Sequence, residues 1–164
     1  MALFVKSIFD SVHYKVSITT SDDKNEFWNN KDITYLPSDR LEKGLFSDMS
    51  VLEHFALSKI SGNSLIDWDK VETEASSLML EFGIKGHVDS MSSHLSGGNQ
   101  QRLMLALIDE STRILLMEQP TRGLDVLSAQ FVWDKLIESK NDRVLTVFSS
   151  HDIDEICMYS DYII

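Results

Sequence analysis

The 164 residues suit one ordinary domain with a real core, and 43% hydrophobic against 25% charged residues is the balance of a soluble globular chain. The formal charge of −11 excludes a nucleic-acid surface, which needs clustered Lys and Arg, and leaves no basic face for anionic lipid. No apolar run approaches the roughly 20 residues that span a bilayer, Met1–Phe9 has no signal-peptide cleavage site, and the lone Cys157 excludes an internal disulfide and fits a reducing, cytosolic setting.

In chain order, Ala2–Asp10 reads as a helix with Leu3, Phe4, Ile8 and Phe9 on one face. The turn-rich stretch Thr19–Lys31 is an exposed connection. Ile33–Leu36 is a short strand punctuated by Pro37. Val51–Lys59 and Trp68–Phe82 are helical, and Gly83 is the stop signal of the second. Asn99–Asp109 reads as a helix and Arg113–Met117 as a buried strand, an unbroken apolar run with Pro120 just beyond it. Ser128–Ser139 is a helix, Val144–Phe148 a strand and Asp152–Tyr159 a short helix, after which Tyr162–Ile164 opens another strand. This alternation predicts α/β architecture with parallel pairing. Ser50–His94 has helices without strands, and so forms a separate helical layer or subdomain.

Three local patterns carry chemistry. Leu95-Ser96-Gly97-Gly98-Asn99-Gln100-Gln101-Arg102 places a Ser and two glycines at the mouth of a helix. Free N–H groups and the positive end of the helix dipole meet there, and the glycines let backbone approach a phosphate. Taken alone, this is also how an ordinary Ser-capped loop looks. Arg113–Glu118 is an apolar strand ending in an acidic residue, the usual way to hold Mg²⁺ over a nucleotide. The run continues Gln119-Pro120-Thr121-Arg122-Gly123-Leu124-Asp125. Val144–Phe148 leads into Ser149-Ser150-His151-Asp152, whose His is placed to contact a γ-phosphate or an attacking water.

In this order and spacing the three patterns resemble the ATP-binding domain of ABC transporters, and the likeness covers nearly the whole chain. Pro37-Ser38-Asp39-Arg40 followed by Gly44-Leu45 resembles the PEDR…GL pattern of the second ATPase domain in sugar and nucleoside importers. The resemblance implies a partial P-loop NTPase (RecA-like) α/β core with parallel strands plus an ABC-type α-helical subdomain. Residues 1–49 would be a core remnant with the Q-loop region, 50–94 the helical subdomain, and 95–164 the signature helix, Walker B strand, D-loop and switch histidine.

The resemblance also implies roles. Ser96, Gly97 and Gly98, with Asn99 and Gln100, would contact ATP held by the opposite domain of a dimer. Glu118 would help hold Mg²⁺, Gln119 stands where the family has its catalytic glutamate, and His151 matches the switch histidine. Asp125 belongs to the D-loop, and Ser38 occupies the Q-loop position. ATP and Mg²⁺ would be the cofactors, and a second ATPase domain and transmembrane permease subunits the partners. The location implied is the cytoplasmic face of the membrane, reached through the permease.

Three departures temper that expectation. No GxxxxGK[ST] occurs in the sequence, so the chain is expected to begin just past the Walker A loop and to be inactive alone. Glu118 stands in place of the common Asp, and Gln119 cannot take a proton. A non-catalytic dimerisation or regulatory module is the alternative. A DNA-repair or chromosome-maintenance ATPase is disfavoured by the short helical segment and acidic charge.

Overall fold

The computed structural model describes residues 32–59, 65–140 and 144–163. The expected helix Ala2–Asp10 and connection Thr19–Lys31 lie outside the described residues.

Three parallel strands form one sheet in the order β1 (Ile33–Leu36), β2 (Ile114–Glu118), β3 (Leu145–Ser149). Ile33 pairs with Ile114, and Ile114 with Leu145. The central strand is apolar on both faces, and Ile114, Leu115, Leu116 and Met117 are all buried, as a covered parallel strand must be. Both polar ends of the expected strands, Glu118 and Ser149, pair in register and finish at the same sheet edge.

Five α-helices lie among the described residues: α1 (Val51–Lys59), α2 (Trp68–Glu81), α3 (Gly97–Ala106), α4 (Val126–Lys140) and α5 (Ile153–Tyr159). Asp67 caps α2 by accepting the Lys70 N–H at 3.2 Å. Gly83 closes it at φ +61°, with Ile84 N–H reaching back to Met79 O at 2.8 Å, the turn that glycine permits at least cost. Val71, Ala75 and Met79 form its buried stripe, which packs in one continuous cluster with Phe55, Leu103, Met117 and Val132. The two ends of the 50–94 segment meet in an antiparallel bridge between Ser50 and Met91. The cap is worth about 1 kcal/mol, so Asp67→Ala should lower the unfolding free energy by that much, read as a lower urea midpoint at an unchanged slope.

Ends of α2, α4, α5, β2 and β3 shift by one or two residues from the sequence reading, and both ends of α3 move for identifiable reasons. α3 begins at Gly97 rather than Asn99, because Ser96 caps it. It ends at Ala106 rather than Asp109, because Asp109 makes a turn of its own. The Asp109 side chain accepts Ser111 N–H at 2.7 Å and its carbonyl accepts Thr112 N–H at 2.9 Å, which aims the chain into β2. The expected strand at Tyr162–Ile164 does not form at residues 162–163, which are exposed and have no described strand beside them. Sequence periodicity also misses a five-residue π-helical turn, Arg40–Gly44, between β1 and α1.

Candidate functional site

Ser96, Gly97 and Gly98 sit at the N-terminus of α3. The Ser96 hydroxyl accepts Asn99 N–H at a long 3.4 Å, and Ser96 itself is exposed. The backbone N–H groups of the first turn lack helical partners, so this mouth suits an anion. Gly98 also has an internal reason to be glycine, and Gly97 a weaker one. A Cβ on Gly98 would lie 2.5 Å from Ser128 Oγ, and one on Gly97 3.3 Å from Arg40 Nη2. Close packing against α4 therefore constrains Gly98 independently of any phosphate.

Two side chains expected at the nucleotide are used inside the protein instead. Gln100 is buried, and its amide donates to Ser92 O at 3.2 Å and Leu95 O at 3.1 Å. Asn99 clasps the Lys85 backbone, accepting its N–H at 3.1 Å and donating to its carbonyl at 3.3 Å. Both side chains thus hold the loops around α3, as buried or half-buried polar groups satisfy nearby backbone.

A second group gathers at the C-terminal edge of the sheet. Glu118 Oε2 accepts Ser38 N–H at 3.3 Å and Tyr35 Oη–H at 3.1 Å, which joins the expected metal and Q-loop positions directly. Partial burial raises the Glu118 carboxyl, but the bonds from Ser38 and Tyr35 and the charge of Lys43 outweigh it and hold the group below its usual range. Glu118 is thus an anion at neutral pH. Gln119 follows with φ +46°, the one non-glycine positive φ among the described residues, a strained value typical of functional turns. Its backbone N–H donates to Ser149 O at 2.9 Å. Its side-chain amide donates to His151 Nε2, also at 2.9 Å.

Asp125 bridges the two groups along the chain. It caps α4, accepting Ser128 N–H at 3.0 Å and Ser128 Oγ–H at 2.7 Å, and these bonds hold its carboxyl below the ordinary value. Ser128 is the residue that Gly98 packs against, so the mouth of α3 and the Asp125 turn are in contact.

Arg40 was missed by motif reading as a site residue. From the π-helical turn its guanidinium donates to Arg122 O through Nη1 and Nη2, both at 3.2 Å, and to Gln101 Oε1 at 3.4 Å. It therefore fastens the segment after Ser38 to α3 and to the turn before Asp125. Its place in the Pro37–Arg40 pattern marks it in the sequence without revealing these partners.

The donor set fits Mg²⁺ held mainly by a nucleotide, not a dedicated protein cage. Among the described residues no three His, Cys, Asp or Glu groups converge on a metal position. One ionised carboxylate at a strand end is the protein's usual share of a site completed by phosphates and water. Beside it, Gln119, Arg122, Trp133 and His151 line an open groove of about 630 Å³. A hollow of about 690 Å³, lined by Phe55, Phe82, Leu105 and Leu136 among others, contains none of the candidate residues.

No family model matches the chain. Over 155 residues it is 35% identical to the nucleoside import ATP-binding protein NupA of Lactococcus lactis subsp. cremoris, a match covering 82% of this chain and 31% of that protein. Over 126 residues it is 35% identical to the ribose import ATP-binding protein RbsA 1 of Rhizobium etli, covering 74% and 25%. Its fold is similar to that of cbiO1 of Clostridium perfringens, part of the ABC transporter complex cbiONQ, with a TM-score of 0.62 and 21% identity over 80% of this chain and 51% of that one. A dimeric ATP-binding cassette in a post-hydrolysis state, bound to ADP and Pi, gives a TM-score of 0.62 and 21% identity over 76% and 54%. The chain thus spans under a third of these curated relatives and about half of the solved chains.

Proposed function

This chain belongs to the ATP-binding domains of ABC transporters, and from that premise we propose that it supplies the signature-loop half of a composite ATP site in an importer of a simple sugar or nucleoside. The observation that carries this reading is the Ser96–Gly98 mouth of α3, with Ser96 exposed, set against the Asp125 turn through Gly98 and Ser128. A partner domain bearing a P-loop would present its nucleotide there. The first-turn N–H groups and the Ser96 hydroxyl would then bind the terminal phosphate and draw the two domains together.

The sheet-edge group faces the other nucleotide, the one a P-loop on its own side would hold. No GxxxxGK[ST] lies within these 164 residues, so this chain alone should bind that nucleotide weakly. Glu118, an anion oriented by Ser38 and Tyr35, would hold Mg²⁺ through water. The ion would supply charge neutralisation for the phosphates. Gln119 would orient water beside His151 but cannot accept its proton, which makes this second site slow even when complete. The helical segment 50–94 would bear on the permease, placing the assembly at the cytoplasmic face of the membrane. Among the described residues no helix is long and apolar enough to cross one.

Gln119 also favours one other reading, a dimerisation module that binds nucleotide without hydrolysing it. The two share the signature mouth and part over turnover. Sedimentation of this chain with a P-loop-bearing ATP-binding domain, with and without Mg-ATP, tests the shared claim. Association should be strengthened by Mg-ATP, and Ser96→Arg, which fills the helix mouth, should weaken it at least about tenfold, a loss of about 1.4 kcal/mol. Equal association of wild type and variant would remove the signature mouth from the interface.

A further inference from the structure

Glu155, on α5, belongs to none of the motifs above, yet its carboxylate accepts three hydrogen bonds from three separate parts of the chain. Thr121 Oγ1 donates to Oε2 at 2.9 Å, Ser150 Oγ to Oε2 at 2.8 Å, and Trp133 Nε1 to Oε1 at 3.2 Å. Thr121 lies two residues beyond Gln119, Ser150 immediately precedes His151, and Trp133 is on α4. Ser150 Oγ in turn accepts Asp152 N–H at 3.0 Å, so the residues on both sides of His151 are tied to this carboxylate. Trp133 is itself fixed, stacked on Tyr159 with ring centroids 4.4 Å apart and set edge-on to Phe148 at 4.9 Å.

The clamp bears on the protonation pattern of His151. The Gln119 amide nitrogen can only donate, so at 2.9 Å it requires an unprotonated His151 Nε2. The proton of the neutral ring must then sit on Nδ1, the less favoured tautomer of a free histidine side chain. We propose that Glu155 is a positioning residue that locks the Thr121 turn to the Ser150 loop and so holds His151 against Gln119 in its Nδ1-protonated form. A carboxylate suits this task because it accepts on both oxygens, whereas a glutamine must turn an NH₂ group toward at least one of the three donors. The importance of the Gln119–His151 pair rests on the ATP-site reading, but the clamp is testable without nucleotide.

The test is long-range ¹H–¹⁵N correlation on the full chain with ¹⁵N-labelled histidine, at a pH about two units above the ordinary histidine value. His151 is assigned by its loss in His151→Gln. His54 is the internal control, since its Nε2 accepts Phe46 N–H at 2.9 Å and its Nδ1 faces Ser50 O at 2.7 Å, away from the clamp. In the wild type both rings should be Nδ1-protonated. In Glu155→Gln, His151 should become mainly Nε2-protonated while His54 does not change. A wild-type His151 already protonated on Nε2, or one unmoved in Glu155→Gln, overturns the proposal. If His54 also changes, Glu155→Gln has lost its fold, and Thr121→Val with Ser150→Ala decide instead. A shift of His151 in either supports the clamp, and no shift in both refutes it. None of these outcomes depends on Mg-ATP association, so failure here leaves the composite-site reading standing, and failure there leaves the clamp standing.

Discussion

Replacing Gln119 with Glu should raise ATP turnover roughly 10²–10⁴-fold once a P-loop segment from a related domain is joined ahead of Met1. The geometry gives the reason. Residue 119 is held at the sheet edge by its backbone bond to Ser149 O and directs its side chain to His151. Glu and Gln have the same shape, so the exchange adds a proton acceptor without moving the group. It also reverses one hydrogen bond, since a carboxylate would accept from a protonated His151 Nε2 where the amide now donates. Single-turnover hydrolysis is the measurement that isolates the chemical step. An unchanged rate would mean that proton transfer to residue 119 does not limit this site.

Gly98→Ala should destabilise the chain by about 1–3 kcal/mol, the opposite sign from an ordinary helical glycine, where alanine gains roughly 0.5–1 kcal/mol. The added Cβ would stand 2.5 Å from Ser128 Oγ and 3.2 Å from Ser128 Cβ. That hydroxyl is not free to swing away, being bound to Asp125 Oδ2 at 2.7 Å. Gly44→Ala is the contrasting case, because the atoms it meets at 2.8 and 2.9 Å are the flexible end of Met104. Thermal unfolding should show a drop of roughly 2–4 °C per kcal/mol for Gly98→Ala and a much smaller one for Gly44→Ala. In Ser128→Gly the cost of Gly98→Ala should shrink, and an unchanged cost would place the strain elsewhere.

The elements that carried the sequence reading are those whose pattern is decided locally. The apolar run of β2, the stripe of α2 and its Gly83 stop can each be read from a few adjacent residues, because burial and backbone conformation set them. The order of motifs singled out Ser38, Glu118, Gln119 and His151, and the structure adds that Ser38 bonds Glu118 and Gln119 bonds His151. What could not be read are contacts between residues far apart in sequence. Nothing local distinguishes Gln100, which fastens a neighbouring turn, from a residue that faces ligand. Gly98 invites a phosphate explanation, and Ser128 against it adds a packing reason that no local pattern shows. Arg40 and Glu155 lie outside the strongest motifs, and their partners are 61 to 82 and 5 to 34 residues away. Their roles exist only once the chain has folded.

Under the proposed function, this chain offers the signature half of a composite nucleotide site and holds Mg-ATP tightly only together with a P-loop-bearing partner. Titration calorimetry of the chain with Mg-ATP addresses it most directly, first alone and then with a P-loop-bearing ATP-binding domain carrying prebound nucleotide. No measurable heat of binding is expected for the chain alone, and Mg-ATP-dependent heat of association is expected for the pair. Tight binding of Mg-ATP by the isolated chain would contradict the proposed function.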